Sequence, residues 1–133
     1  MNRTFVDTSF FVAFLSPGDE LHREASLLFT KNSASWVTTA WVLIELGNYV
    51  SRERERPLFK PFIEQLQQDR RVHIIDAEME LFYAGLDLYA DRADKTWSFV
   101  DCISFIVMKR WGIRNALSAD RHFAQAGFNV LLA

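Results

Sequence analysis

The sequence predicts an α/β fold, a three-layer α/β/α arrangement in which helices cover both faces of a five-stranded parallel sheet. Two observations support this class. Five short apolar segments read as strands, and the segments between them carry apolar residues at helical spacing. Brief apolar strands separated by helices are typical of parallel sheets that are buried on both faces. Because the chain has 133 residues, half of them apolar, we expect one domain spanning residues 1–133.

The predicted elements begin with a short strand over Arg3–Val6. The polar residues 7–9 that follow it are suited to ending a strand and opening a helix. Pro17 and Gly18 then break the chain. From residue 19 to residue 29 apolar residues recur at helical spacing with charges between them, which predicts an amphipathic helix.

The next part of the chain supplies two further strands. Trp36–Thr38 is predicted as the second strand, and Thr38 or Thr39 can cap the helix that continues to Val50. After a charged stretch and a proline, residues 58–66 suggest a short helix. Residues Val72–Ile75 then read as the third strand.

The last part of the chain contains three predicted helices and two strands. Asp76 is expected to cap a long helix through Tyr89, and Ser98 with Asp101 three residues later resembles a capping box that opens an apolar helix ending at Gly112. The remaining elements are a strand, a short helix and a strand, over residues 113–117, 120–126 and 128–131.

Composition excludes several classes of protein. The single cysteine, Cys102, cannot form an intramolecular disulfide or a thiolate zinc cluster, which predicts a reducing, cytoplasmic location. Glu45 and Asp101 interrupt the longest apolar runs well before the roughly 18 residues of a membrane span accumulate, so no membrane partner is expected. The formal net charge of −2 excludes a globally basic nucleic-acid coat but leaves room for a local basic patch.

Four carboxylates stand out because their neighbours are apolar: Asp7, Glu45, Asp101 and Asp120. Asp7 ends the first predicted strand and Asp120 follows the fourth, so both belong to the carboxyl edge of a parallel sheet. The helix that carries Asp101 runs back along the sheet, and its start returns to that same edge. If the first and fourth strands are neighbours, the acids flank a switch point of the kind at which open sheets bind ligands.

Each acid also has a structural interpretation. Asp7 and Asp120 could cap the helices that follow them, and Asp101 suits the first turn of a helix because of the helix dipole. Glu45 lies inside an apolar helical stripe with no arginine or lysine within one turn, so it must find another partner.

A shared site for all four acids requires a counter-charge. Two carboxylates about 4 Å apart repel by roughly 4 kcal/mol at an effective dielectric near 20, so a cluster needs protonation or a bound cation. An all-oxygen set of ligands favours Mg²⁺ or Mn²⁺ over zinc, which usually takes histidine or cysteine.

These acids lie in segments that resemble a known family. The matching segments are residues 5–9 (FVDTS), Glu45 in its helix, residues 94–105 (DKTWSFVDCISF) and residues 116–123 (ALSADRHF). In this order and at this chain length they are similar to the PIN-domain family, and within it to the VapC-like toxin ribonucleases.

The resemblance implies a strand order of 3-2-1-4-5 and Mg²⁺-dependent cleavage of RNA at the carboxyl edge, leaving 5′-phosphate and 3′-hydroxyl ends. It implies that the four acids form the catalytic and metal-binding quartet. Our own first choices for direct ligands are Asp7 and Asp101. Thr8 or Ser9, together with Ser118, would be supporting hydroxyls. It also implies a small antitoxin protein and a homodimer as partners. The hydrolysis expected of such a site is in-line attack by a metal-activated water, without a covalent enzyme intermediate.

Other residues suggest weaker hypotheses. Arg52, Arg54, Arg56 and Lys95 could contact RNA phosphates, although charge runs are as often solvated surface. Four aromatic residues could line a groove for a partner helix, namely Phe10, Phe11, Phe14 and Trp41. The three histidines show no metal-ligand spacing, and surface or packing roles are expected for His22, His73 and His122.

Alternative functions make different demands on the sequence. A phosphoacceptor receiver domain needs paired acids after its first strand, and a haloacid-dehalogenase-like phosphatase needs a second Asp where Ser9 stands. Five scattered glycines form no phosphate-cradling loop. The remaining rival is a non-catalytic RNA-binding or partner-binding module with the same fold.

Overall fold

A five-stranded parallel sheet forms the centre of the computed structural model, which describes residues 3–31 and 35–132. Neighbouring strands pair in the order β3-β2-β1-β4-β5, and every pairing is parallel. The strands are β1 Arg3–Val6, β2 Ser35–Thr39, β3 Val72–Ile75, β4 Asn115–Leu117 and β5 Asn129–Val130. The predicted fold class and strand order are therefore confirmed.

Helices cover both faces of this sheet. Phe5 and Val6 are successive residues of β1 and point to opposite faces, yet the exposed fractions of their side chains are only 0% and 1%. A turn of 3₁₀ helix at Arg56–Leu58 precedes α4. The α-helices are α1 Thr8–Leu15, α2 His22–Lys31, α3 Ala40–Val50, α4 Phe59–Gln68, α5 Met79–Asp91, α6 Phe99–Arg110 and α7 Arg121–Gln125. Among the described helices none is long and apolar enough to cross a membrane.

Two helices begin later than the sequence predicts, because local turns precede them. The Asp19 carboxylate accepts a hydrogen bond from the Leu21 amide at 2.9 Å, and α2 starts only at His22. The expectation that Asp76 caps α5 is wrong. The amide of Glu78 donates to the Asp76 carbonyl at 2.9 Å, and this turn delays the start of α5 to Met79.

The aromatic residues near the start of the chain belong mostly to the core. The exposed fractions of Phe10 and Phe11 are 0% and 1%. Phe14 packs against Phe29 with ring centres 4.6 Å apart, whereas Trp41 packs elsewhere, against Phe82. The predicted aromatic groove for a partner helix is therefore wrong, since apolar content alone does not separate core residues from an exposed surface.

A glycine allows the close approach of α5 to α6. A Cβ atom at Gly85 would lie 2.4 Å from Cγ1 of Ile103 and 3.2 Å from its Cα. A larger residue would push α5 away from the helix whose first turn contains Asp101. Gly85 therefore helps to fix the position of one of the four candidate acids.

Candidate active site

The four candidate acids line one cleft at the carboxyl edge of the sheet. Asp7 directly follows β1, Asp101 lies in the first turn of α6, and Asp120 immediately precedes α7. Glu45 reaches the same cleft because α3 contacts both α1 and α6. The cleft has a volume of about 440 Å³ and is lined by all four acids together with Thr8, Ser9, Tyr49, Ser98 and His122.

Asp7 is held by hydroxyl groups from two distant segments. It occupies the N-cap position of α1, but its side chain makes no capping hydrogen bond. Its Oδ2 atom instead accepts hydrogen bonds from Ser9 Oγ at 3.0 Å and Ser118 Oγ at 2.9 Å. The amide of Asp7 also donates to the carbonyl of Leu117 at 3.1 Å, which joins the ends of β1 and β4. The carboxylate is thus fixed to the central strand pair.

Asp101 is held by the capping box that the sequence predicts. Its amide donates to Ser98 Oγ at 3.0 Å, and its Oδ2 accepts from the Ser98 amide at 3.1 Å. A second partner was not expected: His122 Nδ1 lies 3.0 Å from the same Oδ2. Asp101 therefore caps α6 and also lines the cleft.

The side-chain carboxylates of Asp120 and Glu45 each accept one hydrogen bond from a residue at the start of a helix. Asp120 caps α7, since its Oδ1 accepts from the His122 amide at 2.9 Å, and its own amide donates to Ser118 Oγ at 2.9 Å. Oε1 of Glu45 accepts a short hydrogen bond from the hydroxyl of Thr8. Ser118 therefore connects Asp7 and Asp120, while Thr8 supplies the partner that Glu45 requires.

The environment of the cleft opposes ionisation of three of these carboxyls. Burial, followed by the nearby charge of Asp101, raises the pKa of Asp7 from 3.8 to about 6, even though two seryl hydroxyls act in the opposite direction. Burial is also the main cause of a raised pKa for Glu45 and Asp101, and the charge of Asp120 adds to both. A bound cation would offset both the burial and the repulsion, because it stabilises the ionised carboxylates.

The donor atoms are suited to a hard divalent cation. One ligand atom each from Asp101, Asp120 and His122 lie within 4.8 Å of one another. Asp7 and Glu45 line the same cleft but belong to no such compact group within the part of the chain that the structure describes. Because carboxylate oxygens dominate the set, it suits Mg²⁺ or Mn²⁺ better than zinc.

The structure assigns different surroundings to the remaining predicted residues. Thr8 contacts Glu45, Ser9 contacts Asp7, and Ser118 contacts both Asp7 and Asp120. Arg52, Arg54 and Arg56 are exposed and do not line the acidic cleft, and Lys95 lines a neighbouring groove that meets the cleft at Ser98. Their contact with RNA stays a prediction.

His122 is the residue that sequence reasoning missed. The expected surface or packing role is wrong, because its ring contacts Asp101 and its amide contacts Asp120. The available signal was its position two residues after Asp120, at the start of a short helix at the carboxyl edge. Spacing between histidines could not reveal it, since the groups that it contacts are carboxylates.

Comparison with known proteins decides the family. A family model described as PIN domain matches residues 4–129. This chain belongs to the PIN-domain family. The PIN domain is 32% identical over 125 residues to the 23S rRNA-specific endonuclease VapC20 of Mycobacterium tuberculosis, and the alignment covers 93% of this chain and 94% of the relative.

Solved structures agree with this assignment. The crystal structure of Mycobacterium tuberculosis VapC20, described as a sarcin-ricin loop cleaving toxin, matches the PIN domain with a TM-score of 0.87 at 27% identity, over 98% of this chain and 99% of that chain. Two more distant structures share the fold. VapBC2 from Rickettsia felis, bound to a promoter DNA fragment, matches with a TM-score of 0.66 at 13% identity, over 97% of this chain and 96% of that chain. FitAcB from Neisseria gonorrhoeae matches with a TM-score of 0.61 at 19% identity, over 96% of both chains.

Proposed function

We propose that this PIN domain is a metal-dependent endoribonuclease, acting in the cytoplasm as the toxin of a toxin–antitoxin pair. The observation that carries the proposal is the meeting of four carboxylates, from four separate segments, in one cleft at the carboxyl edge of the sheet. The similarity to VapC20, an rRNA endonuclease, supports the reaction class. The proposal takes residues 1–133 as one nuclease domain.

Asp7 and Asp101 are the proposed direct ligands of Mg²⁺, with Mn²⁺ as a substitute. Glu45 and Asp120 would complete the site directly or through water. When bound, such an ion lowers the pKa of a coordinated water, polarises a phosphoryl oxygen and neutralises charge on the leaving group. The contribution of the protein is to fix the carboxylates: Ser9 and Ser118 orient Asp7.

The proposed reaction is in-line attack by water, without a covalent enzyme intermediate. Cys102 is buried, and burial together with the charge of Asp101 raises the pKa of its thiol to about 11. At neutral pH it therefore stays protonated and is a poor nucleophile. We propose water as the source of the attacking oxygen.

Cleavage of RNA with and without a divalent ion tests this function. We expect an RNA oligonucleotide carrying the sarcin-ricin loop sequence to be cut in Mg²⁺ or Mn²⁺, to be protected by a chelator, and to be cut again when the metal is restored. The same sequence as DNA serves as the control substrate. Cleavage that persists in chelator would contradict the metal requirement. Tight binding without cleavage in any metal would favour the non-catalytic RNA-binding module.

The basic stretch after α3 is the proposed route for RNA phosphates. Arg52, Arg54 and Arg56 are exposed, although Glu53 and Glu55 alternate with them. Replacing the three arginines by alanine should weaken RNA binding and flatten its dependence on salt, since each lost phosphate contact reduces the slope of log K against log salt by about 0.7 on single-stranded RNA. Binding titrations at several salt concentrations measure this slope.

A charge-matched variant controls for the loss of three positive charges. Arg3, Lys109 and Arg114 are exposed and belong to the opposite edge of the sheet, because they start β1, end α6 and precede β4. Their replacement by alanine should leave the salt slope near the parental value. Equal slopes for both triple variants would mean that residues 52–56 are merely solvated surface.

Two apolar surfaces support the proposed protein partners. A groove of about 770 Å³ between α3 and α4 is lined by Leu43, Ile44, Phe59 and Ile63, and offers an apolar surface to an antitoxin segment. An exposed stripe on α5 at helical spacing suits a homodimer, and consists of Met79, Tyr83, Leu86 and Tyr89. The structure of VapC20 is described as that of a toxin, and an antitoxin partner is consistent with that description.

A further inference from the structure

His122 contacts two of the four acids through two different N–H groups. Its backbone amide donates to Oδ1 of Asp120 at 2.9 Å, and its ring Nδ1 lies 3.0 Å from Oδ2 of Asp101. Nδ1 is also 3.3 Å from Oδ1 of Asp120. The side chain is only one-fifth exposed. One residue thus connects the start of α7 to the first turn of α6.

The partners of the ring define which nitrogen carries the proton. The ionised carboxylate of Asp101 only accepts hydrogen bonds, so Nδ1 is the donor to it. On the other side of the ring, Nε2 lies 3.3 Å from the hydroxyl of Thr96, which can donate to it. The imidazole therefore fits its surroundings with a proton on Nδ1.

This hydrogen bond makes the two oxygens of Asp101 unequal. Oδ2 accepts from both the Ser98 amide and His122 Nδ1. Within residues 3–31 and 35–132, no hydrogen bond to Oδ1 of Asp101 is found. One oxygen is thus committed to the protein, and the other remains for a ligand in the cleft.

We infer that His122 is a positioning residue for the metal site: its Nδ1–H holds one oxygen of Asp101 so that the other is presented to the divalent ion. The inference rests on the proposed function, since it concerns the same cleft. Outer partners of metal-binding carboxylates of this kind typically change metal affinity or activity by about 10- to 100-fold when removed. His122 does not itself bind the ion in this assignment.

Three substitutions at His122 separate positioning from a general structural role. Asparagine places its amide nitrogen near the position of Nδ1, whereas glutamine places it near that of Nε2, and alanine has no donor. All three keep the backbone amide that holds Asp120. We expect His122→Ala and His122→Gln to lower Mn²⁺ affinity and kcat by roughly 10- to 100-fold with little change in the KM for RNA, and His122→Asn to restore most of the loss.

The measurements include two that do not depend on catalysis. Mn²⁺ affinity is determined by calorimetry without RNA, and denaturation midpoints in chelator show whether each variant is folded. Nitrogen NMR of the metal-free parent should show a proton on Nδ1 of His122, with His122→Ala identifying its signals among the three histidines. If the parent binds no Mn²⁺ and cuts no RNA, the proposed function fails while the NMR result still tests the ring contact.

Several results would overturn the inference. A neutral ring protonated on Nε2 would remove the donor to Asp101. An asparagine variant as impaired as the alanine variant would show that the Nδ1 position is unimportant, and parental affinity in His122→Ala would show that no positioning is needed. Nitrogen modulation in the pulsed EPR spectrum of the Mn²⁺-bound parent would mean that the imidazole is itself a ligand.

Discussion

Asp7→Asn is expected to reduce RNA cleavage by at least about 1000-fold while the protein stays folded. Losing a charged ligand removes several kcal/mol of transition-state stabilisation in metal-assisted hydrolysis, and each 1.36 kcal/mol is a tenfold change in rate. The asparagine oxygen can still accept from the hydroxyls of Ser9 and Ser118, which hold the native carboxylate. Initial rates in Mg²⁺ measure the loss, and circular dichroism monitors the fold.

Asp87→Asn is a matched control for this substitution. Asp87 is exposed on α5 and does not line the acidic cleft, so the same chemical change there should leave cleavage near the parental rate. Asp101→Asn should behave like Asp7→Asn, because both carboxylates are proposed ligands. Parental turnover in Asp7→Asn would remove Asp7 from the catalytic set.

The same substitution is expected to stabilise the metal-free protein near neutral pH. Burial raises the pKa of Asp7 from 3.8 to about 6, so the folded protein binds this proton more tightly than the unfolded chain. Stability contributed by the proton is present at acid pH and is lost as pH rises from about 4 through about 6, which costs up to about 3 kcal/mol at pH 7.5. Asparagine carries no charge and avoids this cost.

Denaturation in chelator at several pH values tests the prediction. At pH 7.5, Asp7→Asn should have the larger free energy of unfolding, and the difference should shrink towards pH 4. The pKa values of Glu45 and Asp101 are also raised. The Asp7→Asn variant should therefore also lose some stability as pH rises, although less than the parent. Adding Mg²⁺ should raise the free energy of unfolding of the parent more than that of the variant. An ion that binds only the native state stabilises it, and the variant lacks one proposed ligand. A gap that grows at acid pH would refute the assigned sign.

The sequence could predict much of the fold because local patterns agree with the final structure. Apolar segments and helix caps depend on neighbours in the chain, so local patterns predict them. Examples are the caps Thr39 before α3 and Ser98 before α6. The four acids could be singled out for a similar reason, since each interrupts an apolar surrounding. Their meeting follows from parallel strands ending at one edge, provided that β1 pairs with β4.

Tertiary contacts determine what could not be predicted. His122 contacts Asp101 only because α7 packs beside the start of α6, and nothing within a few residues of His122 encodes that approach. Phe10 is equally apolar in a core and on a docking surface, so the sequence alone could not show that it is buried. The start of α5 depended on a backbone turn at Asp76 that competes with side-chain capping.

The bond between the amide of Asp7 and the carbonyl of Leu117 has a consequence for synthesis of the chain. β4 and Asp120 are made more than a hundred residues after Asp7. Central pairing of the sheet therefore waits for late translation, and an incomplete nascent polypeptide holds only part of the quartet. If the proposed function holds, a growing chain on the ribosome cuts no RNA until β4 has emerged and docked beside β1.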